Sequence, residues 1–135
     1  MWTESDVDLV LVEWLKPHEQ VKEKARDKLL DMTQRWGGFT KPVLVDRETG
    51  SLLDGHHRLS VAKRLNLRLI PAICIDYLNS DLIAVESWQN ASVENLNKEM
   101  VLEMCLSSDL FPPKTTRHIT TFDYPPIMVL LEHLR

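Results

Sequence analysis

The sequence is poor in the residues that specialised small scaffolds depend on. Its 135 residues include two cysteines and four glycines, and 7% of them are aromatic. Cys74 lies in an apolar run and Cys105 in an apolar helical pattern, so we expect both to be small buried hydrophobic residues rather than a disulfide. This favours a reducing compartment. No internal repeat or low-complexity segment is present, which argues against repeat and fibrous architectures.

Positive charge is also scarce. Sixteen lysines and arginines stand against 20 aspartates and glutamates, which gives a net charge of −4 and a pI near 5.7. A chain of this balance has no general attraction to nucleic acid, so we do not expect a nucleic-acid partner. No apolar run approaches the length of a membrane span, and the acidic residues Glu4, Asp6 and Asp8 are unlike a secretory signal. We therefore expect a cytoplasmic protein that does not associate with membranes.

The apolar fraction and the hydrophobic periodicity indicate one globular α/β domain over residues 1–135. Hydrophobic residues make up 44% of the chain, enough for a modest core. The patterns predict these elements in order: a strand within 7–14, a helix from Pro17 to about Trp36 ended by Gly37-Gly38, a hairpin of 43–46 and 51–53, a helix after Gly55 with Asn66 as C-cap, strands at 69–75 and 81–88, and a helix with Ser92 as N-cap and Asn95 at N3. Pro71 suggests an edge or strand-start position for its strand. The tail 127–134 is compatible with a helix or a strand.

The stretch from Asp54 to Arg58 is the most informative part of the chain. His56, His57 and Arg58 stand where a loop enters a predicted helix, whose free N–H groups and dipole attract anions. Gly55 would let the backbone approach a ligand closely, and the Arg58 guanidinium is suited to phosphate. The alternative is an ordinary surface turn with solvated histidines.

Two further polar clusters stand at predicted element boundaries, where side chains can face a common cleft. In the first, Lys16–Gln20, Glu19 would be a general base if it faced a cationic loop; alternatively it caps its helix, and His18 is solvated. The second offers consecutive hydroxyls and donors for carboxylate and phosphate oxygens, or is plain loop. Its members are Lys114, Thr115, Thr116, Arg117 and His118.

Some site chemistries are disfavoured by spacing. His56 and His57 are adjacent, and no cysteine or further histidine completes a structural zinc site. Gly55 does not belong to the glycine-lysine loop that a Walker sequence requires.

Taken together, the clusters resemble a known family. The segment Asp54–Arg58, preceded by Pro42–Val45 and followed by Ala62–Leu65 and Ile70–Ala72, resembles the ParB/sulfiredoxin-like domain over residues 7–75. That resemblance implies a small mixed sheet flanked by helices, with residues 76–135 completing the substrate site. Within this group, Leu15–Gln20, Asp54–Arg58 and Pro113–His118 together resemble the free L-serine kinases, which form O-phospho-L-serine.

The resemblance implies a role for each cluster. Glu19 would be the catalytic carboxylate that activates the hydroxyl of free L-serine. Gly55, His56, His57 and Arg58 would handle the phosphates of the donor, ATP or ADP, and Asp54 would be a second acidic group or a ligand of Mg²⁺. The serine or its phosphate would be bound by Trp88, Lys114, Thr115, Thr116, Arg117 and His118.

The chain also departs from its relatives in ways that limit the alternatives. It is shorter between Trp88 and Phe111 than the archaeal kinases. His56 occupies the position of the reactive cysteine of sulfiredoxin, which disfavours sulfinic-acid repair. No helix-turn-helix or basic arm follows, which disfavours centromere binding. The remaining alternatives are a ParB-like nuclease and a nucleotide-binding switch module.

Overall fold

The fold is an α/β arrangement built on a four-stranded sheet. The computed structural model describes residues 2–89, 91 and 93–135. Its helices and strands are β1 (Val7–Leu11), α1 (Glu23–Trp36), β2 (Gly38–Phe39), β3 (Val43–Asp46), β4 (Leu52–Asp54), α2 (His56–Arg64), β5 (Leu69–Ile75), β6 (Ile83–Ser87), α3 (Lys98–Ser107), β7 (Thr116–Thr120) and β8 (Val129–Leu130). Among the described residues, no helix is both long and apolar enough to cross a membrane.

The main sheet has the strand order β1-β5-β3-β4. Strand β5 runs antiparallel to β1 and parallel to β3, and β4 returns antiparallel beside β3. Two short antiparallel ladders, β2 with β8 and β6 with β7, complete the strand pairing. The mixed sheet predicted from the resemblance is therefore present.

Both faces of this sheet are buried, because successive side chains of a strand point to opposite sides. Val43 and Val45 of β3 pack with residues of α1 and α2, whereas Leu44 packs with Val101 of α3 and Ile83 of β6. Double burial explains why β3 and β5 are nearly continuous apolar runs. This layering also brings the first turn of α2 close to the β6-β7 ladder.

The first predicted helix was placed too early. Helix α1 begins at Glu23, and residues 16–20 are extended because their backbone groups pair with two remote segments. The Lys16 N–H donates to the Gly50 carbonyl at 2.9 Å, and the Gln20 N–H donates to the Phe111 carbonyl at 2.8 Å. Glu19 therefore does not cap a helix. The predicted end is confirmed, since Gly37 has a left-handed φ of 75°.

Three other local predictions need correction. Strand β5 lies inside the sheet, and Pro71 is opposite Leu9 of β1, one residue before the ladder with β3 starts at Ala72. Helix α3 begins after Asn97, whose side chain accepts a hydrogen bond from the Met100 N–H at 2.8 Å; the predicted cap Ser92 lies outside the described residues. The cluster Lys114–His118, for which the sequence allowed a plain loop, contributes its last three residues to β7.

The predictions for the hairpin, α2, the C-terminal tail and the two cysteines agree with the structure. The hairpin and α2 are confirmed, and Asn66 has a positive φ of 54° just after α2. The tail forms the short strand β8 and a 3₁₀ turn. Cys105 is buried, Cys74 is half-buried, and both are free thiols.

Candidate active site

The three predicted clusters meet in one cavity of about 300 Å³. It lies between the N-terminus of α2, the extended segment around Glu19 and the strand β7. The predicted site residues that line it are Glu19, Asp54, Gly55, His56, His57, Arg58, Trp88, Lys114, Thr116, Arg117 and His118. Side chains that are far apart in sequence thus face the same space.

Glu19 is held by the segment that carries the second cluster. One carboxylate oxygen, Oε1, accepts a hydrogen bond from the Thr115 N–H at 3.2 Å. The other, Oε2, accepts from the Thr116 hydroxyl at 2.7 Å and from the Thr116 N–H at 3.4 Å. Because donors grip both oxygens, the carboxylate has a fixed direction at the wall of the cavity.

Thr115 is the predicted site residue that does not line the cavity. Its side chain is buried, and its hydroxyl donates to the Pro112 carbonyl at 2.7 Å. Its link to the site is therefore the backbone N–H that holds Glu19.

His18, for which the sequence allowed a solvated position as one alternative, is fully buried, with 0% of its surface exposed. Its Nδ1 lies 2.9 Å from the Leu52 carbonyl oxygen, and its Nε2 lies 2.9 Å from the Thr116 hydroxyl. Burial lowers the pKa of His18 to about 4. A neutral imidazole therefore stands directly behind the Glu19 carboxylate.

The two histidines of the central loop join α2 to the Glu19 segment. His56 Nε2 accepts the His18 N–H at 3.1 Å, and His57 Nε2 accepts the Lys22 N–H at 3.2 Å. A ring nitrogen that accepts a hydrogen bond carries no proton, so both rings are neutral with the proton on Nδ1. Burial lowers the pKa of His56 and of His57 in agreement with this.

The positive charge of the cavity therefore comes from lysine and arginine. The cationic side chains that line it are Lys22, Arg58, Lys114 and Arg117. Arg58 is anchored by a hydrogen bond of 3.0 Å from its Nη1 to the Pro42 carbonyl. Together with the free N–H groups at the start of α2, these cations make the cavity a suitable site for a polyanion.

Gly55 is required at the entrance to α2 by both space and conformation. Its φ is 108°, and a Cβ at this position would lie 2.5 Å from Val43 Cγ1 and 2.9 Å from Arg58 Nη1. The absent side chain therefore lets β4 turn into α2 against β3, and keeps the N–H groups of the helix open to the cavity.

Trp88 lies at the other side of the cavity, beside two cations. The Arg117 guanidinium lies 5.2 Å and the Lys114 ammonium 5.9 Å from the indole ring. Arg117 also forms an exposed ion pair with Glu86 at 3.3 Å. The ring and the carboxylate hold the guanidinium of Arg117 at the cavity wall.

His118 and Asp54 each contact a tyrosine, the buried Tyr77 and the half-buried Tyr124. His118 Nε2 lies 2.8 Å from the Tyr77 hydroxyl, and burial lowers the pKa of His118 to about 3. Asp54 Oδ2 accepts the Tyr124 hydroxyl at 2.7 Å, and burial beside Asp54 raises the pKa of Tyr124, which stays a donor. His118 is thus a neutral lining residue, whereas Asp54 adds negative charge.

The sequence reasoning missed three participants: the buried role of His18, the cation Lys22 and the partner Tyr124. His18 belongs to the first cluster and Lys22 follows it by two residues, so that cluster was a usable signal for both. Tyr124 and Asp54 are 70 positions apart in the sequence, so their contact cannot be predicted from a local sequence pattern.

Comparison with curated proteins finds L-serine kinases. The ADP-dependent L-serine kinase of Thermococcus kodakarensis is 32% identical over 98 residues, which are 68% of this chain and 40% of that protein. The ATP-dependent L-serine kinase of Staphylothermus marinus is 30% identical over 94 residues, 67% of this chain and 37% of that protein. A ParB-like protein of Sulfolobus acidocaldarius is 36% identical over 74 residues, 55% of this chain and 36% of that protein. The chain spans about 40% of the length of these relatives. No model of a protein family matches the chain.

Comparison with solved structures finds the same fold. A free serine kinase in complex with AMP superposes with a TM-score of 0.85 at 19% identity, over 96% of this chain and 94% of that one. SbnI with a C-terminal truncation, from Staphylococcus aureus, superposes with a TM-score of 0.82 at 12% identity, over 97% and 90% of the two chains. The chain has the ParB/sulfiredoxin-like fold that the sequence predicted. Within that fold, its sequence is similar to L-serine kinases, as the three clusters indicated.

Proposed function

We propose that this chain is a free L-serine kinase. It transfers a phosphoryl group from ATP or ADP to the hydroxyl of free L-serine and releases O-phospho-L-serine. The observation that carries the proposal is the position of Glu19, an oriented carboxylate that shares one cavity with the N-terminus of α2 and with Arg58 and Arg117. Similarity to proteins named ADP- and ATP-dependent L-serine kinases supports the same reaction.

The nucleotide phosphates would lie against the start of α2. Gly55 leaves the backbone open, the N–H groups of the first turn point at the phosphates, and Arg58 adds charge. His56 and His57 are neutral, so their Nδ1–H groups would serve as hydrogen-bond donors rather than as cations. Phosphoryl transfer depends mainly on positioning and charge stabilisation, which is what these groups supply.

Free serine would lie between Trp88 and the segment Lys114–His118. Arg117 and Lys114 suit its carboxylate, and the Thr116 hydroxyl and neutral His118 shape the wall around it, while the Thr115 N–H acts indirectly by holding Glu19. Glu19 then stands where it removes the proton of the serine hydroxyl as that oxygen attacks the phosphorus. Because these residues come from 76–135, we propose that this part completes the site on the 7–75 core within one domain.

The residues present fit Mg²⁺ that is held largely by the nucleotide. Among the described residues, no group of three or more His, Cys, Asp or Glu could hold a metal ion. Mg²⁺ commonly binds through one or two carboxylates plus substrate phosphates, and Asp54 at the mouth of α2 is the acidic residue placed for that. When bound, the ion would neutralise phosphate charge.

A cytoplasmic location accords with the free thiols and with the substrates that we propose. Free thiols at Cys74 and Cys105 are typical of a reducing compartment, and the substrates we propose are small anionic metabolites. With a net charge of −4, a nucleic-acid partner is not favoured.

One assay separates the kinase from a nuclease and from a nucleotide-binding switch. The protein is incubated with Mg²⁺, ATP or ADP and a panel of free amino acids, and in parallel with DNA. We expect phosphoserine to form, and we expect L-serine to be the one amino acid of the panel that is phosphorylated. Cleaved DNA without phosphoserine would establish the nuclease instead, and nucleotide binding without any product would establish the switch.

A further inference from the structure

A buried chain of hydrogen bonds runs from the Glu19 carboxylate into the core. Glu19 Oε2 is 2.7 Å from the Thr116 hydroxyl oxygen, which is 2.9 Å from His18 Nε2. His18 Nδ1 is in turn 2.9 Å from the Leu52 carbonyl oxygen. Leu52, His18 and Thr116 are buried, and of these three only Thr116 borders the cavity, next to the Glu19 carboxylate that opens onto it.

This chain of hydrogen bonds lacks one hydrogen when Glu19 is ionised and His18 is neutral. It contains three contacts, and the Leu52 carbonyl and the carboxylate can only accept hydrogen bonds. The hydrogens available are one on the imidazole and one on the Thr116 hydroxyl. Two hydrogens cannot fill three contacts, whichever nitrogen of His18 carries its proton.

One added proton completes the chain in two ways. If the proton is on Glu19, the carboxyl donates to Thr116 Oγ1, the hydroxyl donates to His18 Nε2, and Nδ1–H donates to Leu52. If it is on His18, the imidazolium donates from both nitrogens and the Thr116 hydroxyl donates to Glu19. The two forms differ by a shift of hydrogens along existing hydrogen bonds.

We propose that Glu19, Thr116 and His18 act as a single proton-accepting unit in the phosphoryl transfer. This inference rests on the proposed function. As the serine oxygen forms its bond to phosphorus and the bond to the leaving nucleotide oxygen breaks, the hydroxyl proton passes to Glu19 and is shared through Thr116 with His18. Product release returns the proton to solvent through Glu19. Thr116 and His18 are positioning residues, because they act on the proton through Glu19, which takes it from the substrate.

The surroundings of His18 keep it neutral in the resting protein. Its ring packs edge-on against His56 at 4.5 Å and against His118 at 5.9 Å between ring centroids. Both neighbours are neutral, Phe111 covers the ring at 6.4 Å, and Asp54 is the further charge that acts on it besides Glu19. Before turnover, His18 is therefore neutral and can accept a proton.

The test compares Thr116→Val with Thr116→Ser. Valine keeps the shape and both backbone N–H contacts to Glu19 but removes the hydroxyl link, so kcat should fall about tenfold or more, with the nucleotide Kd unchanged. Serine restores the link and should recover most of the lost kcat. His18→Gln, which can bond to Thr116 but cannot take up a proton, should resemble the valine variant. Circular dichroism verifies that each variant is folded.

A second readout does not require turnover and reports directly on the hydrogen bond between Thr116 and His18. The ring nitrogens of His18 are followed by ¹⁵N NMR while the pH is lowered. A protonated Nε2 in Thr116→Val has no acceptor, so the midpoint of His18 protonation should fall by about one pH unit and return in Thr116→Ser.

The outcomes distinguish this inference from the proposed function. If the wild-type protein makes phosphoserine while folded Thr116→Val keeps more than about half of its kcat, with an unmoved His18 midpoint, the proton-accepting unit is wrong and the kinase stands. If the wild-type protein makes no phosphoserine, both are wrong. Should His18→Gln fail to fold, the valine and serine pair decides.

Discussion

At the scale of single residues, the site separates charge from hydrogen bonding. Histidine would be the obvious phosphate cation of the sequence Gly55-His56-His57-Arg58. In the structure both histidines accept backbone N–H groups through Nε2, and their function is to fasten the Glu19 segment to α2. Arginine stays protonated at neutral pH even where it is partly buried. Under the proposed function, recognition of the phosphates would therefore not depend on histidine titration.

Replacing Trp88 tests the proposed serine-binding side of the cavity. In Trp88→Leu, the guanidinium of Arg117 loses the ring that holds it at 5.2 Å, so the KM for serine should rise about 3- to 10-fold, with the nucleotide Kd unchanged. Steady-state kinetics with varied serine measures this. Trp36→Leu is the matched control, since Trp36 is similarly exposed at the end of α1 and is not among the cavity-lining residues. An equal KM in both variants would contradict the assignment.

At the scale of elements, prediction succeeded where a fold is determined locally. The turn at Gly55 and the apolar stripe of Leu59, Ala62 and Leu65 place α2 correctly, because glycine and periodicity act within a few residues. The start of α1 failed, because the backbone of Lys16–Gln20 is paired with residues near 50 and 111. His18 and Thr116 are 98 positions apart in the sequence. The burial of His18 therefore also could not be predicted from local sequence patterns.

A pair of glycine variants tests the entrance to α2. Gly37 and Gly55 both have positive φ, but a Cβ at Gly37 meets nothing within 4 Å, whereas at Gly55 it meets Val43 and Arg58. Gly37→Ala should lower the free energy of unfolding by about 1 kcal/mol. Gly55→Ala should lower it by about 2–4 kcal/mol and weaken nucleotide binding, because strain and steric overlap add. Urea denaturation and calorimetry measure the two effects, and equal losses in both variants would show that Gly55 is needed only for its φ.

At the scale of the whole molecule, the site joins parts that the chain keeps far apart. The mixed sheet presents α2 at one end, and the β6-β7 ladder brings Trp88 and Arg117 against it. The family resemblance predicted this convergence, since three clusters in the right order require a common fold. Composition and periodicity alone predicted only an α/β domain.

Buried neutral histidines should make the stability of the whole molecule depend on pH. Burial lowers the pKa of His18 to about 4 and that of His118 to about 3, whereas in the unfolded chain both take up a proton near pH ~6.5. The unfolded state therefore binds more protons between these values, so the free energy of unfolding should fall as the pH drops from about 6.5 towards about 4. Urea denaturation at pH ~7 and pH ~5 measures the loss.

The exposed histidine provides the control for that titration. His133 has 64% of its side chain exposed, so His133→Gln should keep the same dependence on pH, whereas a folded His118→Gln variant should show a weaker one. Equal stability at both pH values in the wild-type protein would mean that the buried histidines are not held neutral.

The most direct test of the account is the rate of phosphoserine formation by the wild-type protein and by Glu19→Gln, measured beside the nucleotide Kd of each. Glutamine preserves the size of the side chain but cannot accept the hydroxyl proton. We predict that the wild-type protein forms phosphoserine, and that Glu19→Gln is slower by about 100-fold or more with a nearly unchanged nucleotide Kd. Equal rates of phosphoserine formation in the two proteins would contradict the role of Glu19, and with it the mechanism.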